Sequence, residues 1–430
     1  MVGKKEALKT VSLLWIGSLL GAACAFFTQV ILARQLGPTE FGIFATAFAM
    51  VTLLVPLAGF GVAQYWLKVF GQEGWNARRF IPSSFKFIFI SSFCVVFALI
   101  GWSIFGPHSE SLKLMIVILS AYIIGQVSVE LVSSKLQLEE RYYCLALWQF
   151  SPHFIRLVLV AVLFFGLTAW ASVVNVAYVY ALVATGLVLF GFLSLLQMFK
   201  GNFSLKGHVK SAVKFEGVTP DVKTITSHVW PFGLAGLFHL IYFQSDIILV
   251  QYITGLEAAG VYNVAFTIMV AVLLFPGIIY QKFLLPKMHR WANHDRERFY
   301  LVYKKGNMIM LLLGLVAMLL IWVIAPWVVP LLFGEAYLAA ISLLMILAVS
   351  APVLFVASSM GAVLVTQKRM KEKVKLMGGV ALINICLNAA LIPHYGGNGA
   401  AISTVLSNAF LLYFYYVASL KVFDDLLASK

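Results

Sequence analysis

Segments of about twenty or more mostly apolar residues recur along this chain, each long enough to cross a lipid bilayer as a helix. They fall at about 11–35, 41–67, 84–106, 112–134, 142–166, 170–199, 226–250, 259–285, 305–333, 337–366, 374–392 and 398–420, twelve in all. Inside hydrocarbon every backbone N–H and C=O must find a partner within the segment, so each window reads as a helix. Only 11% of the residues are charged, against roughly 25% in soluble domains. The predicted fold class is therefore an all-α membrane protein with twelve transmembrane helices. The first window is too long for the core of a signal peptide and lacks a small-residue cleavage site, so it is read as a spanning helix.

The net charge of +14 would suit an anionic partner such as nucleic acid, but its distribution argues otherwise. Threading the windows back and forth puts 28 of the 31 Lys and Arg on one side; Arg34 and Lys113 lie on the other, and Arg156 lies inside a window. That bias marks the cytoplasmic side. It predicts a multi-pass protein of the cytoplasmic (inner) cell membrane with both termini in the cytoplasm, whose anionic neighbours are membrane lipids and not nucleic acid. Cys24, Cys94, Cys144 and Cys386 fall in or at the edge of apolar windows and form no C-x-x-C pair. With no H-E-x-x-H and no Walker loop, the sequence predicts no catalytic constellation, no metal site and no cofactor.

The longest polar segment divides the windows six and six. The chain is thus expected to comprise an N-terminal six-helix lobe at 1–200, a cytoplasmic inter-lobe linker at 201–225 and a C-terminal six-helix lobe at 226–430. Shifting the sequence by 218 residues lays Gly37 on Gly255, Gly42 on Gly260, Ala47 on Ala265 and Phe48 on Phe266, with Phe44 opposite Tyr262. Both glycines of the turn between the first two windows thus recur between the seventh and eighth. An even number of crossings per half makes the repeats parallel, a plan that transporters build around a central cavity. The turn chemistry is legible as well: glycine relieves a left-handed helix cap and proline after it blocks continuation.

At these residues the chain resembles a known family. LARQLGPTEFGIFATAFAM followed by PLAGFGVAQYWLK, WPFGLAGLFHLIYFQSDIILVQYITGLEAAGVYNVAF at 230–266 and NICLNAALIPHYGGNGAAISTVLS at 384–407 are similar to the polysaccharide transporters. These belong to the multidrug, oligosaccharidyl-lipid and polysaccharide exporter superfamily. The resemblance implies a flippase for a polyprenyl-diphosphate-linked oligosaccharide, such as an O-antigen or exopolysaccharide repeat unit. It implies two lobes around a central cavity, with a polysaccharide polymerase and chain-length machinery as partners.

The diphosphate and sugars of such a substrate cannot cross hydrocarbon unaided, so a wet, cationic path is needed. Arg156 lies about 14 residues into its window, near mid-bilayer, and a guanidinium suits phosphate; the alternative is a structural pair with a helix carbonyl or Glu130. His153 lies three residues earlier on the same face. Arg34, at the outer end of the first window, could meet the diphosphate on release or simply snorkel. His239, Tyr242 and Asp246, at i, i+3 and i+7, share a helix face and could couple transport to H+ or Na+; a structural hydrogen-bonded cluster is the competing reading. Asn384 and Asn388 are expected to bond between helices. The basic cluster Lys368, Arg369, Lys371, Lys373 and Lys375 is expected to set topology.

Rival classes remain. A cation-coupled multidrug exporter of the same superfamily fits the plan, although residues 11–36 hold no Asp or Glu. A flippase for a lipid-linked peptidoglycan precursor is chemically close, though that family has fourteen spans. An integral-membrane polymerase or glycosyltransferase would need longer, charged outer loops than this chain has.

Overall fold

The computed structural model describes residues 4–206, 220–277, 280, 284, 288, 291, 295–366 and 369–428. Most of the expected linker and Lys368 lie outside the described residues. Among those described, the chain is helical throughout, with no strand. The helices are α1 (Lys4–Gly59), α2 (Val62–Glu73), α3 (Ile81–Phe105), α4 (Glu110–Leu119), α5 (Ala121–Leu138), α6 (Tyr142–Ala161), α7 (Val173–Phe199), α8 (Val222–Thr254), α9 (Leu256–Gly277), α10 (Arg296–Phe333), α11 (Ala340–Ala348), α12 (Ser350–Thr366) and α13 (Met370–Ala428). Eight described helical stretches are long and apolar enough to cross a membrane, or nine when α11 and α12, bent by 41°, are taken as one.

Two of these elements cannot cross only once. At 1.5 Å per residue, the 56 residues of α1 and the 59 of α13 far exceed a core about 30 Å thick. Each is broken at a glycine in a conformation that other residues avoid, Gly37 (φ 74°) in α1 and Gly396 (φ 56°) in α13. Gly255, the 218-residue counterpart of Gly37, has φ 101° and separates α8 from α9. The repeated glycine is therefore a repeated break between helices. Elsewhere hydroxyls and carboxylates start helices: Ser109 Oγ accepts from Leu112 N at 3.3 Å, Ser172 Oγ from Asn175 N at 3.2 Å and Asp295 Oδ1 from Arg298 N at 3.0 Å.

The helices gather into two compact units, one comprising Met1–Ile31 with Ala47–Leu240 and the other Leu32–Thr46 with Ile241–Lys430. In the first unit α5 is the central helix, flanked by α6 and α7. It approaches α7 through small residues: a side chain at Gly125 would press on Ala184, and one at Gly191 on Ser128. A break at Phe60 and Gly61, both with positive φ, frees the Ala58 carbonyl, which Ser91 Oγ of α3 satisfies at 2.7 Å.

In the second unit the segment 32–46 is held by Tyr337, whose hydroxyl donates to the Ala33 carbonyl at 2.9 Å and whose ring meets Phe41 edge-on at 6.3 Å. The same segment packs on the start of α9 in a reciprocal way. A Cβ on Gly42 would collide with the Leu256 carbonyl oxygen, and a Cβ on Gly260 would collide with the Pro38 carbonyl oxygen. Pro38 and Leu256 are themselves 218 residues apart, so each copy of the motif seats its glycine on the carbonyl that its twin provides.

Candidate functional site

A cavity of about 480 Å³ opens in the first unit. Its polar wall comes from two helix stripes. On α5, Gln126, Glu130, Ser134 and Gln137 follow the spacing i, i+4, i+8, i+11; on α6, Gln149, His153 and Arg156 follow i, i+4, i+7, and all seven line the cavity. Gly17 and Gly21 of α1 make room on the facing side: a side chain at Gly17 would touch Ala146, and one at Gly21 would lie 3.4 Å from the His153 ring. Hydrogen bonds register the two polar helices, with Trp148 Nε1 donating to the Val129 carbonyl at 3.2 Å and Gln149 Nε2 to Ser133 Oγ at 3.4 Å.

Arg156 is only 6% exposed. Its guanidinium carbon sits 4.9 Å from the Tyr122 ring centre and 5.1 Å from that of Tyr180. Among the described residues it makes no ion pair, with Glu130 or otherwise, and its Nε is buried without a hydrogen-bond partner. Magnitudes explain how a cation survives there. Arginine at the centre of a membrane helix costs about 3 kcal/mol on insertion scales, and each desolvated ring face contributes about 2 kcal/mol. Two tyrosines hold the charge without neutralising it, and its positive field is left to the cavity.

The second unit holds a carboxyl group in the opposite manner. Asp246, 1% exposed, accepts from Asn388 Nδ2 at 2.6 Å, from the Tyr262 hydroxyl at 2.8 Å and from Thr404 Oγ1. Asn384 extends the network, its Oδ1 accepting from Asn388 Nδ2 at 3.1 Å and from Ser245 Oγ at 3.0 Å. Helix α9 and both legs of α13, on either side of the Gly396 break, therefore converge on one carboxylate of α8. Asn388 Oδ1 is buried with no hydrogen-bond partner, so an oxygen acceptor beside the carboxylate is left open.

Of the remaining expected residues among those described, only Tyr242, one turn before Asp246 on α8, borders either set. Tyr242 is buried, with its hydroxyl unpartnered, whereas His239 is exposed. Arg34 Nη1 donates to the Leu331 carbonyl at 2.8 Å, capping the end of α10, where carbonyls lack helical partners. Of the basic cluster, Arg369 pairs with Glu372 at 3.1 Å, while Lys373 lies 5.9 Å from the Tyr415 ring centre. No group of three or more His, Cys, Asp or Glu side chains that could hold a metal exists among the described residues. Sequence reasoning missed Tyr122, Tyr180, Tyr262, Thr404 and the stripe on α5; only the stripe carried a local signal.

The family model for polysaccharide biosynthesis proteins matches residues 7–292. The chain belongs to that family. This family member shares its fold with solved transporters. It is similar to the lipid II flippase MurJ in an inward closed conformation, at TM-score 0.73 and 13% identity over 94% of this chain and 87% of that one. It is similar also to an inward-facing multidrug resistance transporter of the MATE family, at TM-score 0.74 and 17% identity over 95% and 96%. A transporter of the MOP superfamily from Pyrococcus furiosus, described as having a binding pocket of reversed polarity, gives TM-score 0.63 and 16% identity over 96% and 95%. No curated protein matches the chain. The likeness is one of fold: the all-helical plan is that of these solved transporters.

Proposed function

We propose that this protein is a flippase that moves a polyprenyl-diphosphate-linked oligosaccharide, an O-antigen or exopolysaccharide repeat unit, across the cytoplasmic membrane by alternating access. The observation that carries this reading is Arg156, an uncompensated cation facing a polar cavity inside a membrane protein. A diphosphate is the group such a cation recognises, and the glutamines, serines and Glu130 around it supply the donors and acceptors that sugar hydroxyls need. In this reading the chain crosses twelve times, six in each half, with the glycine breaks in α1 and α13 supporting an extra crossing in each of those helices. The Lys and Arg bias then orients both termini toward the cytoplasm. A polysaccharide polymerase and chain-length machinery would receive the product.

The Asp246 cluster is the proposed site of ion coupling. One carboxylate, two asparagines and a threonine form a donor set of hard oxygens, and the orphaned Asn388 Oδ1 fits a proton or Na+ better than a softer metal. A bound cation would neutralise Asp246 and release its three donors from holding a charge.

The test is translocation of a polyprenyl-diphosphate oligosaccharide in proteoliposomes, comparing the wild type with Arg156→Ala and Asp246→Asn at matched protein levels, with and without imposed H+ and Na+ gradients. Flipping by the wild type that Arg156→Ala abolishes, and that Asp246→Asn uncouples from the gradient, supports the reading. Export of a cationic dye with no movement of the lipid-linked sugar would reassign the protein to drug export.

A further inference from the structure

The first unit also carries a second, wholly different cavity, an apolar groove of about 710 Å³ on another face of α5 from the polar stripe. Its floor is buried, formed by Ile88, Val127, Leu131 and Leu195, and its walls are exposed aromatic rings, Phe89 and Phe93 of α3 and Phe192 of α7. The few hydroxyls along it are already satisfied: Ser128 Oγ donates to the Leu187 carbonyl at 3.0 Å, and Ser92 Oγ faces the Ala58 carbonyl at 3.5 Å. The groove is therefore dry and offers nothing to a sugar.

Its charge lies at one end. Of the three basic residues before and within the first turns of α3, Arg78 donates to the Lys200 carbonyl at 2.8 Å and Arg79 pairs with Glu73 at 2.7 Å. Lys86, which lines the groove, is exposed and has no such partner among the described residues. Beside it the Phe85 and Phe199 rings meet edge-on at 5.9 Å, closing the groove at the basic end. From Lys86 to Val96, the last lining residue of α3, ten residues rise about 15 Å, which is half of a hydrocarbon core about 30 Å thick. The groove thus begins at the basic, cytoplasmic-side surface and ends near the midplane, the depth of a single leaflet.

We infer that this groove is a docking site for an anionic phospholipid of the cytoplasmic leaflet, with one acyl chain between α3 and α7 and the headgroup phosphate on Lys86. The one-leaflet depth selects a leaflet-resident phospholipid over a longer polyprenyl tail. The lone cation selects an anionic headgroup. This site is independent of the cavity around Arg156 and of the flippase reading.

The experiment uses the purified full chain in nanodiscs, with photoreactive acyl-chain analogues of phosphatidylglycerol and phosphatidylcholine and a photoreactive polyprenyl phosphate. Cross-linked peptides are mapped by mass spectrometry, with Lys86→Gln, Lys86→Arg and the groove-filling Leu195→Trp beside the wild type. The expected result is labelling at 82–96 and 188–199 several-fold stronger with phosphatidylglycerol than with phosphatidylcholine. That preference should be lost in Lys86→Gln, kept in Lys86→Arg, and all labelling there reduced in Leu195→Trp. Equal labelling by the two phospholipids, labelling spread evenly over the lipid-facing helices, or a preference for polyprenyl phosphate would each overturn the proposal. Circular dichroism and size-exclusion profiles of the variants separate a lost site from a lost fold.

Discussion

Arg156 and Asp246 are both ionisable groups buried among membrane helices, yet one is left to aromatic faces and open space while the other is bonded from three sides. The difference is chemical before it is functional. A guanidinium has a planar, weakly hydrated charge that ring faces can stabilise, so two tyrosines hold Arg156 where it lines the cavity. A carboxylate repels those same faces and requires hydrogen-bond donors, so Asp246 recruits Tyr262, Thr404 and Asn388. The cationic region consequently faces a cavity, whereas the carboxylate is tied into its own unit by its donors. Losses at the first should therefore appear mainly in transport, and truncation at the second should cost stability as well as coupling.

The largest separation is expected from Arg156→Met. A charge-assisted hydrogen bond to phosphate contributes about 1.5–3 kcal/mol, so translocation should fall about ten- to a hundredfold while the unfolding free energy in detergent changes by less than about 1 kcal/mol, since two aromatic rings can pack on a thioether. Transport at the wild-type rate would remove Arg156 from the path. The complementary change, Asp246→Ala, strands three donors in a closed site. At about 1–3 kcal/mol for each group left unsatisfied, the unfolding free energy should drop by roughly 4 kcal/mol, and a thermal midpoint unchanged from the wild type would break the contrast.

Finer comparisons test the cause. Tyr180→Phe keeps the ring under Arg156 and should alter stability by less than about 0.5 kcal/mol, whereas Tyr180→Leu removes it and should cost about 2 kcal/mol; equal effects would mean that the hydroxyl and not the ring face holds the cation. The smallest expected effect lies outside both regions, at His108 in the loop before α4. Burial pushes this imidazole below its ordinary value, with Lys113 adding to the shift and a hydrogen bond to the Trp102 carbonyl opposing it. The folded state then binds fewer protons than the unfolded state, so its contribution is present above the unfolded pKa of about 6.5 and is lost as pH falls below it. His108→Gln should flatten the decline in thermal midpoint between pH 7 and pH 5; an unchanged slope would show that other groups govern it.

The helical membrane fold was legible because twenty-residue apolar windows leave a chain no alternative, and because glycine at a break between helices is a local requirement that Gly37 and Gly255 both meet with positive φ. Charge in a window pointed to Arg156, and turn-spaced amides pointed to Asn384 and Asn388. What held these residues in place was hidden by distance in sequence: Tyr122 and Thr404 have no local mark distinguishing them from other tyrosines and threonines. His239 illustrates a different limit. Helical spacing fixes the angle of a side chain about the axis, but seven residues also separate it from Asp246 by about 10 Å along that axis, and it is exposed where Asp246 is buried. The stripe Gln126, Glu130, Ser134 and Gln137 was periodic enough to be found, and attention to formal charge alone passed over it.

The reciprocal seat of Gly42 and Gly260 has the geometry of a homodimer interface folded into one polypeptide. In an isologous contact, residue i touches j while its symmetry mate j touches i, and here Gly42 meets Leu256 while Gly260 meets Pro38. Neither position can acquire a side chain unless the backbone of the other copy retreats, so at these sites the two halves of the sequence are not free to diverge separately. They are held to a common history by a contact that has room for two hydrogens and nothing larger.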